Sequence, residues 1–248
     1  MPRAGSANRP SCVLRGAAAE AAQVLLYGVP MADFATLRRM MVDGQVRTAD
    51  VTDRGLIEAM LEVPRERFAP GEAALAYLDL DLPVGSGGVR RLLKPMVLAK
   101  MLQILDLAEG EKVLDVGCAT GYAAALMARL AGEVIALEQD AELLSRAKAA
   151  FDAFGIANVR AVQGRLIDGF SADSPYDAIL VEGCIEIEPA TLCAQLADGG
   201  RLVCIQGAGP AAKAVICRRD GDDITERAVF DANAAALPGF AKAPSFVF

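Results

Sequence analysis

The stretch VLDVGCATGY, residues 113–122, decides how this chain folds. It begins as a short apolar strand interrupted only by Asp115, turns through Gly117 and Gly121, and continues from Tyr122 as an apolar helix. Glycines in such a turn let the backbone approach a ligand closely, and the first N–H groups of the helix face that ligand. The stretch therefore predicts a strand, a tight turn and a helix, with a ligand at the carboxyl end of the strand.

The segments around this stretch alternate in the same way. Strands are predicted over residues 112–118, 133–139, 158–164, 178–183 and 201–206, and helices over residues 122–130, 141–154 and 189–196. This alternation is typical of right-handed crossovers in a doubly wound parallel sheet. Only six residues, 207–212, separate the last of these strands from the apolar run 213–219. Since a parallel crossover needs about a dozen residues, the runs 213–219 and 224–230 are predicted to add antiparallel strands at the sheet edge.

The chain before this alternating region predicts helices followed by a long loop. Apolar residues recur at helical spacing over residues 33–46, and again between the helix cap Asp53 and Pro64. Residues 64–95 are irregular and rich in proline and glycine, and Pro95 opens a third helix. A loop of this length within a domain is usually functional.

These patterns suggest one domain with a short extension in front of it. We expect residues 31–248 to form the domain, with a helical front end and loop over 31–95 and a ligand-binding core over 96–248. Residues 1–30 are rich in Ala, Ser, Pro and Gly. They are either a flexible extension or an error of the gene model, with Met31 as the true start.

Composition excludes several classes of function. The chain has 248 residues, a net charge of −7 and no histidine. The missing histidine excludes Ser-His-Asp and Cys-His catalysis and every metal site that needs an imidazole ligand. The acidic balance argues against nucleic-acid binding, and no apolar run reaches the roughly 18 residues of a membrane span. The six cysteines show no CxxC spacing, so we expect reduced thiols, no metal and a cytoplasmic protein.

A second local signal is Glu138, which ends the second predicted strand 17 residues after Gly121. An acidic side chain there can accept hydrogen bonds from both hydroxyl groups of a ribose. The GxGxxG pattern of dinucleotide sites is missing because Ala119 stands at the middle glycine position, which favours a nucleoside without a pyrophosphate over NAD. The candidate cofactor-binding residues are therefore Asp115, Gly117, Cys118, Ala119, Gly121, Glu138 and Gln139.

Two simpler interpretations stay open at this point. Gly117 and Gly121 can merely close a strand–helix turn, with Glu138 as a solvated strand end. Asp115 is costly to bury without hydrogen bonds, and either the backbone of the glycine turn or a ligand can supply them.

Several motifs resemble a known family. Residues 113–122 together with Glu138 resemble the S-adenosyl-L-methionine site of class I methyltransferases, and PYDAI (175–179) and GGRLV (199–203) resemble the fourth and fifth strands of that fold. More narrowly, the chain from about residue 37 onward resembles the protein-L-isoaspartate O-methyltransferases. The segments that carry this resemblance are MVDGQVR (41–47), IEAMLEVPRERFAP (57–70) and LPVG (82–85), of which VPRERFAP is the most specific.

The resemblance implies a Rossmann-like, seven-stranded fold with S-adenosyl-L-methionine as methyl donor. It also implies an isoaspartyl carboxylate of a damaged protein or peptide as acceptor. This chemistry is compatible with the absent histidine, because the nucleophile is already ionised at neutral pH and needs positioning more than a general base. No catalytic residue is singled out.

The chain departs from the family at three places. Where the family has a Gly-Gln-Thr-Ile-Ser run that holds the substrate carboxylate, residues 86–95 read SGGVRRLLKP. We therefore expect substrate contacts from Ser86, Arg90, Arg91 and Lys94, the alternative being an exposed basic face. Where the family has Gly-Asp-Gly beside the adenine, Arg165 replaces the Asp, and after the fourth strand Glu182 and Glu186 add two acids.

The favoured hypothesis is a carboxyl methyltransferase that repairs isoaspartyl residues. The alternative is a family member that binds S-adenosyl-L-methionine but methylates another acid, or acts as a non-catalytic sensor or partner protein. An NAD-dependent oxidoreductase is disfavoured by the missing GxGxxG pattern.

Overall fold

A computed structural model of the chain describes residues 33–69, 71, 73–85 and 90–242. The predicted extension over residues 1–30 and the candidate substrate residue Ser86 lie outside these ranges, and both stay predictions. The described residues from Phe34 onward belong to one unit. No helix among the described residues is long and apolar enough to cross a membrane, and these residues contain no cluster of three metal-ligating side chains.

Seven strands form the central sheet. They are β3 (Lys112–Val116), β4 (Glu133–Glu138), β5 (Val159–Gln163), β6 (Tyr176–Ile185), β7 (Leu196–Gln206), β8 (Lys213–Asp220) and β9 (Asp223–Asp231), in the order β5-β4-β3-β6-β7-β8-β9. Strands β3 to β7 are parallel, and β8 and β9 are antiparallel additions at the edge. The predicted fold class is thus confirmed. Because β4 lies on one side of β3 and β6 on the other, β3 marks the topological switch point where such sheets bind ligands.

The first two strands form a separate hairpin. Strand β1 (Leu82–Val84) pairs antiparallel with β2 (Arg90–Leu92). The hairpin falls inside the region predicted as an irregular loop. Its two short strands carry too little apolar alternation to be recognised in the sequence.

Helices cover the sheet. They are α1 (Phe34–Met41), α2 (Arg54–Glu62), α3 (Pro95–Leu105), α4 (Tyr122–Met127), α5 (Ala141–Ala153) and α6 (Ala190–Cys193). The predicted first helix continues only as a π turn, Val42–Val46, which contains Gly44. Asp53 caps α2 as predicted, accepting the N–H of Leu56 at 2.6 Å. The predicted helix over 189–196 is shorter, because β7 begins already at Leu196, which pairs with Tyr176.

The front end covers one face of the sheet. Val113, Ala136 and Leu180 of the three central strands belong to the same apolar core as the front-end residues Met60 and Leu98. The opposite face packs a second core. Since side chains alternate along a strand, Asp115 points to the same face as Val113, toward the front-end helices.

Candidate cofactor site

The turn between β3 and α4 is held in an unusual backbone conformation. Gly117, Ala119 and Gly121 have φ values of 82°, 50° and 90°, a left-handed region that glycine adopts without strain. The N–H groups of Gly117 and Cys118 both donate to the carbonyl of Leu137, at 2.8 and 3.1 Å. The turn is therefore fixed against the end of β4.

The two glycines of the turn have different reasons to be glycine. A side chain at Gly121 would lie 2.6 Å from the ring of Phe151 on α5, so this glycine serves packing. At Gly117 the nearest atom is Nη2 of Arg90, 3.0 Å from where a side chain would start. A side chain at Gly117 would therefore crowd the guanidinium group that lies on Glu138.

Glu138 lies at the centre of the site. Its side chain is fully buried, so the interpretation as a solvated strand end is wrong. Oε1 accepts the N–H groups of Gln139 and Asp140 at 2.8 and 3.1 Å. Oε2 accepts the N–H of Ala119 at 2.8 Å and Nη2 of Arg90 at 2.8 Å. Three of these four donors are fixed backbone groups, which orients the carboxylate toward the switch point.

Arg90 is turned into this crevice. Besides its ion pair with Glu138, Nη2 donates to the carbonyl of Gly117 at 2.6 Å. Arg90 is only 8% exposed, so it is not part of an exposed basic face. Its guanidinium group lies against Oε2 of Glu138, the carboxylate that we expect to bind the ribose hydroxyls. The binding of substrate by Arg90 stays a prediction.

The other candidate substrate residues lie outside the crevice. Nη1 of Arg91 donates to the carbonyl of Asp81 at 3.2 Å. The backbone N–H of Lys94 donates to the side chain of Asp81, at Oδ1, at 2.8 Å. Oδ1 of Asp79 accepts the N–H of Met96 at 3.1 Å. These two carboxylates cap the start of α3, a role that the sequence did not indicate because they lie more than ten residues upstream. Arg91 and Lys94 are half-buried, and their binding of substrate stays a prediction.

Asp115 and Glu182 form a buried pair of carboxyl groups. Asp115 pairs in register with Leu180 of β6, two residues before Glu182, and the side chains of Asp115 and Glu182 hydrogen-bond to each other. Both are buried, at 0% and 2% exposure. Burial, followed by the repulsion of Glu182, raises the pKa of Asp115 well above its usual range. Burial likewise raises the pKa of Glu182 to about 7.

No N–H group among the described residues donates to Asp115. Neither of its carboxyl oxygens has such a partner in this part of the chain, nor does Oε1 of Glu182, and the two carboxyl groups hydrogen-bond to each other. The N–H groups of the glycine turn are used elsewhere: those of Gly117 and Cys118 by Leu137, and that of Ala119 by Glu138. The interpretation that the turn satisfies Asp115 is therefore wrong, because its partner is the carboxyl group of Glu182. The binding of a ligand by Asp115 stays a prediction.

Arg65, from the VPRERFAP segment, was missed by the sequence reasoning. It is fully buried. Nε donates to the carbonyl of Ala76 at 2.8 Å, and Nη2 to that of Leu93 at 2.7 Å. Its guanidinium lies 4.7 Å from the ring centre of Tyr122, the first residue of α4. Arg65 thus joins the front end, the end of β2 and the glycine turn. The sequence signal for Arg65 was its position in VPRERFAP, the segment most specific to the methyltransferase family.

A cavity opens beside Glu138. A cavity of about 300 Å³, at the lower end of the usual range for ligand sites, is lined by Val84, Gly85, Arg90, Glu138, Gln139, Asp140 and Pro238. The candidate Gln139 thus lies in the wall of the cavity.

Two other residues singled out in the sequence lie elsewhere. Arg165 is exposed and pairs with Asp168 at 3.2 Å. Cys118 is buried, and burial, followed by repulsion from Asp115, raises the pKa of its thiol.

The fold and the crevice together define the class of protein. A seven-stranded, mostly parallel sheet with a buried acidic residue at the end of the strand beside the switch point is the architecture of class I methyltransferases. A model of the protein-L-isoaspartate(D-aspartate) O-methyltransferase family matches residues 38–231. The chain therefore belongs to this family.

Two individual proteins agree with this assignment, and a third shares the fold. Protein-L-isoaspartate O-methyltransferase 1 of Rhodopseudomonas palustris (strain HaA2) is 39% identical over 209 residues, which are 83% of this chain and 84% of that protein. A solved protein-L-isoaspartate O-methyltransferase has a TM-score of 0.72 at 26% identity and covers 83% of this chain and 66% of its own. A Plasmodium falciparum structure described under the same activity, in complex with S-adenosyl-L-homocysteine, has a TM-score of 0.70 at 20% identity, covering 81% and 97%.

Proposed function

We propose that this chain transfers the methyl group of S-adenosyl-L-methionine to the carboxylate of L-isoaspartyl residues in proteins or peptides. The observation that carries the proposal is the buried Glu138 beside the switch point, in a chain of this family. The relative from Rhodopseudomonas palustris bears the name of this activity, and the Plasmodium falciparum structure holds the demethylated cofactor.

The residues present fit this cofactor. Glu138 would accept the ribose hydroxyls, since backbone donors already orient its carboxylate. The glycine turn ends β3 beside this carboxylate, and Asp115 and Glu182 are buried carboxyl groups near it. Arg90 must leave Glu138 before a ribose can bind there, because its guanidinium holds the same oxygen. When bound, S-adenosyl-L-methionine supplies a methyl group on a sulfonium, which leaves as a neutral thioether.

The reaction needs no proton transfer. An oxygen of the acceptor carboxylate forms a bond to the methyl carbon while the carbon–sulfur bond breaks, so the negative and positive charges cancel. The chain contributes orientation and exclusion of water, and the front-end helices and the β1–β2 hairpin lie over this end of the sheet. No histidine is required for such a step, which is consistent with the composition.

A second candidate function has its own support. Leu92 and Leu93, next to Arg90 and Arg91, are buried at 1% and 2% exposure, and no serine or threonine occurs in residues 90–95. The hydroxyl groups with which the family is expected to hold the substrate carboxylate are thus absent from this described part of the loop. This favours a protein that binds the cofactor but methylates a different acid, or acts as a sensor.

One experiment separates the two functions. The purified protein is incubated with methyl-labelled S-adenosyl-L-methionine and an isoaspartyl peptide, beside the peptide with a normal aspartyl residue. The proposal expects base-labile methyl ester on the isoaspartyl peptide only. If the protein binds S-adenosyl-L-homocysteine but forms no ester, the result favours a non-catalytic sensor. If methyl ester forms on other acids, the result favours a methyltransferase with a different substrate. Absence of both binding and ester would refute both functions.

We place this activity in the cytoplasm. The support is chemical, since the five described cysteines are all free thiols, as is usual in reducing compartments. The proposed partners are proteins or peptides with isoaspartyl residues, and nucleic acids are not among them, given the net charge of −7.

A further inference from the structure

Two cysteines from different layers of the fold meet in the wall of a cavity. Cys193 ends the short helix α6, and Cys217 lies on β8, where it pairs with Leu202 of β7. The two thiols are free, and their side chains hydrogen-bond to each other. The sequence does not indicate this pair, because its members lie on separate elements and have no CxxC spacing.

The cavity gives a small solute access to the pair. Cys193 and Cys217 are only 4% and 2% exposed, but both line a cavity of about 480 Å³. Ala194 and Glu226 also line it and are exposed, so the cavity opens to solvent. Among the described residues, the lining of this cavity shares no member with that of the cavity beside Glu138. The thiol pair is therefore separate from the candidate cofactor site.

The contact makes the two thiols chemically unequal. The hydrogen bond from Cys217 lowers the pKa of Cys193, although burial and the neighbouring Cys204 and Glu226 act in the opposite direction. The same hydrogen bond, followed by burial, raises the pKa of Cys217. Because the thiolate is the nucleophile in thiol oxidation, Cys193 is the thiol that reacts first.

We propose that Cys193 and Cys217 form a redox-active pair, which a hydroperoxide entering the cavity oxidises to a reversible disulfide. Buried structural cysteines are usually inert, but these two contact each other and line a cavity that opens to solvent. Disulfides in reducing compartments are typically transient and redox-sensing. This property is independent of methyl transfer.

The oxidation balances in two steps. The thiolate of Cys193 attacks one oxygen of hydrogen peroxide, the O–O bond breaks, and the departing hydroxide takes up a proton to form water. Cys193 is then a sulfenic acid. The sulfur of Cys217 attacks the sulfur of Cys193, the S–O bond breaks, and the hydroxide leaves with the proton of Cys217 as a second water. The two thiols together lose two electrons, and the peroxide gains them.

The disulfide would fasten α6 to the edge of the sheet. Gln195, which follows α6, accepts the N–H of Phe170 at 2.9 Å and donates to the carbonyl of Asp168 at 2.8 Å. A bond from Cys193 to Cys217 would therefore also hold the segment after β5 against β8. Since a cross-link constrains the unfolded chain, the oxidised protein should unfold at a higher urea concentration than the reduced protein.

Cys204 provides the matched control. It lies on β7 in the same apolar core as the pair, but it is not among the described residues that line the cavity. Burial raises the pKa of its thiol well above the usual range. We therefore expect Cys204 to stay reduced when the pair is oxidised.

The test maps the disulfide in the whole chain. The protein is treated with one molar equivalent of hydrogen peroxide, the remaining thiols are blocked with iodoacetamide, and the unreduced protein is digested with trypsin. The three cysteines fall in separate peptides, Cys193 in 166–201, Cys204 in 202–213 and Cys217 in 214–218. Mass spectrometry identifies the linked peptides, and fragmentation locates the linked residue within 166–201.

The expected link joins Cys193 to Cys217. Iodoacetamide should then label two fewer of the six cysteines, and the urea midpoint should rise. Dithiothreitol should reverse both changes. Cys204→Ser should form the same link as the wild type. Cys217→Ser should leave Cys193 as a sulfenic acid that dimedone traps, whereas Cys193→Ser should give no such adduct at Cys217.

Two results would overturn the proposal. One is a wild-type protein in which all thiols are still labelled after the peroxide treatment. The other is a link that runs through Cys204 or through Cys184, the second cysteine of peptide 166–201. The wild-type digest decides between these outcomes even if a variant does not fold. Because the test uses no methyl donor, its result is distinct from that of the isoaspartyl peptide assay.

Discussion

Replacement of Arg90 by methionine should tighten cofactor binding, although it removes a buried ion pair. Nη2 of Arg90 holds both Oε2 of Glu138 and the carbonyl of Gly117, at 2.8 and 2.6 Å. A ribose that binds Glu138 must break at least the first of these contacts. In Arg90→Met the carboxylate of Glu138 keeps its three backbone donors. Its Oε2 atom, which Arg90 occupies in the wild type, can then accept a ribose hydroxyl without first losing a partner.

The magnitude follows from the contact that the ligand no longer has to break. A hydrogen bond to a charged group contributes about 1.5–3 kcal/mol, and about 1.4 kcal/mol corresponds to a factor of ten in affinity. The dissociation constant of S-adenosyl-L-homocysteine should therefore fall by about tenfold or more in Arg90→Met. The free protein should lose stability, by about 3 kcal/mol, since breaking a buried pair leaves a partner without its counter-charge.

Calorimetry with S-adenosyl-L-homocysteine and urea unfolding measure the two effects. Arg91→Met is the matched control, because Arg91 lies on the same strand and its side chain donates to the carbonyl of Asp81, outside the Glu138 site. We expect the control to keep the wild-type affinity. If Arg90→Met instead weakens binding, Arg90 contributes to the cofactor site and does not compete with the cofactor for Glu138.

Three further predictions test the site. Glu138→Gln should weaken S-adenosyl-L-homocysteine binding by about 1.5–3 kcal/mol, as measured by calorimetry, and an unchanged affinity would contradict its assignment to the ribose. Gly121→Ala should lower the free energy of unfolding by about 2–5 kcal/mol in urea titrations, since its side chain would meet the ring of Phe151 at 2.6 Å and its φ is 90°; a loss below about 1 kcal/mol would refute this steric argument. Glu182→Met should stabilise the free protein at pH 8 by about 3 kcal/mol and leave it near the wild type at pH 4.5. The reason is that a folded-state pKa raised from 4.5 to about 7 makes the wild type lose stability as the pH rises through that window; a pH-independent difference would contradict it.

The sequence predicted the elements of this fold well because they depend on local pattern. Strand–helix alternation and a six-residue connection were sufficient to predict the parallel strands and the antiparallel edge. Glu138 was predicted as a functional residue because its position follows from the end of a strand. In contrast, the β1–β2 hairpin has two three-residue strands, and so short a pattern does not identify a strand.

What the sequence did not reveal depends on contacts between distant segments. Arg90 looked like one of three cations on a loop, and only the fold shows that it turns inward onto Glu138, 48 residues away. Arg65 reaches the carbonyl of Leu93 across 28 residues. The burial of Glu182 depends in the same way on the pairing of β3 with β6, which brings it beside Asp115. Glu182 lies inside the predicted strand 178–183, but nothing in its own segment indicates that it meets Asp115 of another strand.

Charge balance connects the competing arginine with the carboxyl pair. The switch point buries the carboxyl groups of Asp115, Glu138 and Glu182 against the guanidinium groups of Arg65 and Arg90. With one proton retained by the carboxyl pair, these charges sum to zero. A ribose that displaces Arg90 makes this site more negative by one charge. S-adenosyl-L-methionine and S-adenosyl-L-homocysteine carry the same ammonium and carboxylate groups, so only the positively charged sulfonium of the methyl donor offsets that added charge, and the neutral thioether of the product does not. Since an unbalanced buried charge is costly, the same arrangement that admits the methyl donor should favour release of its product.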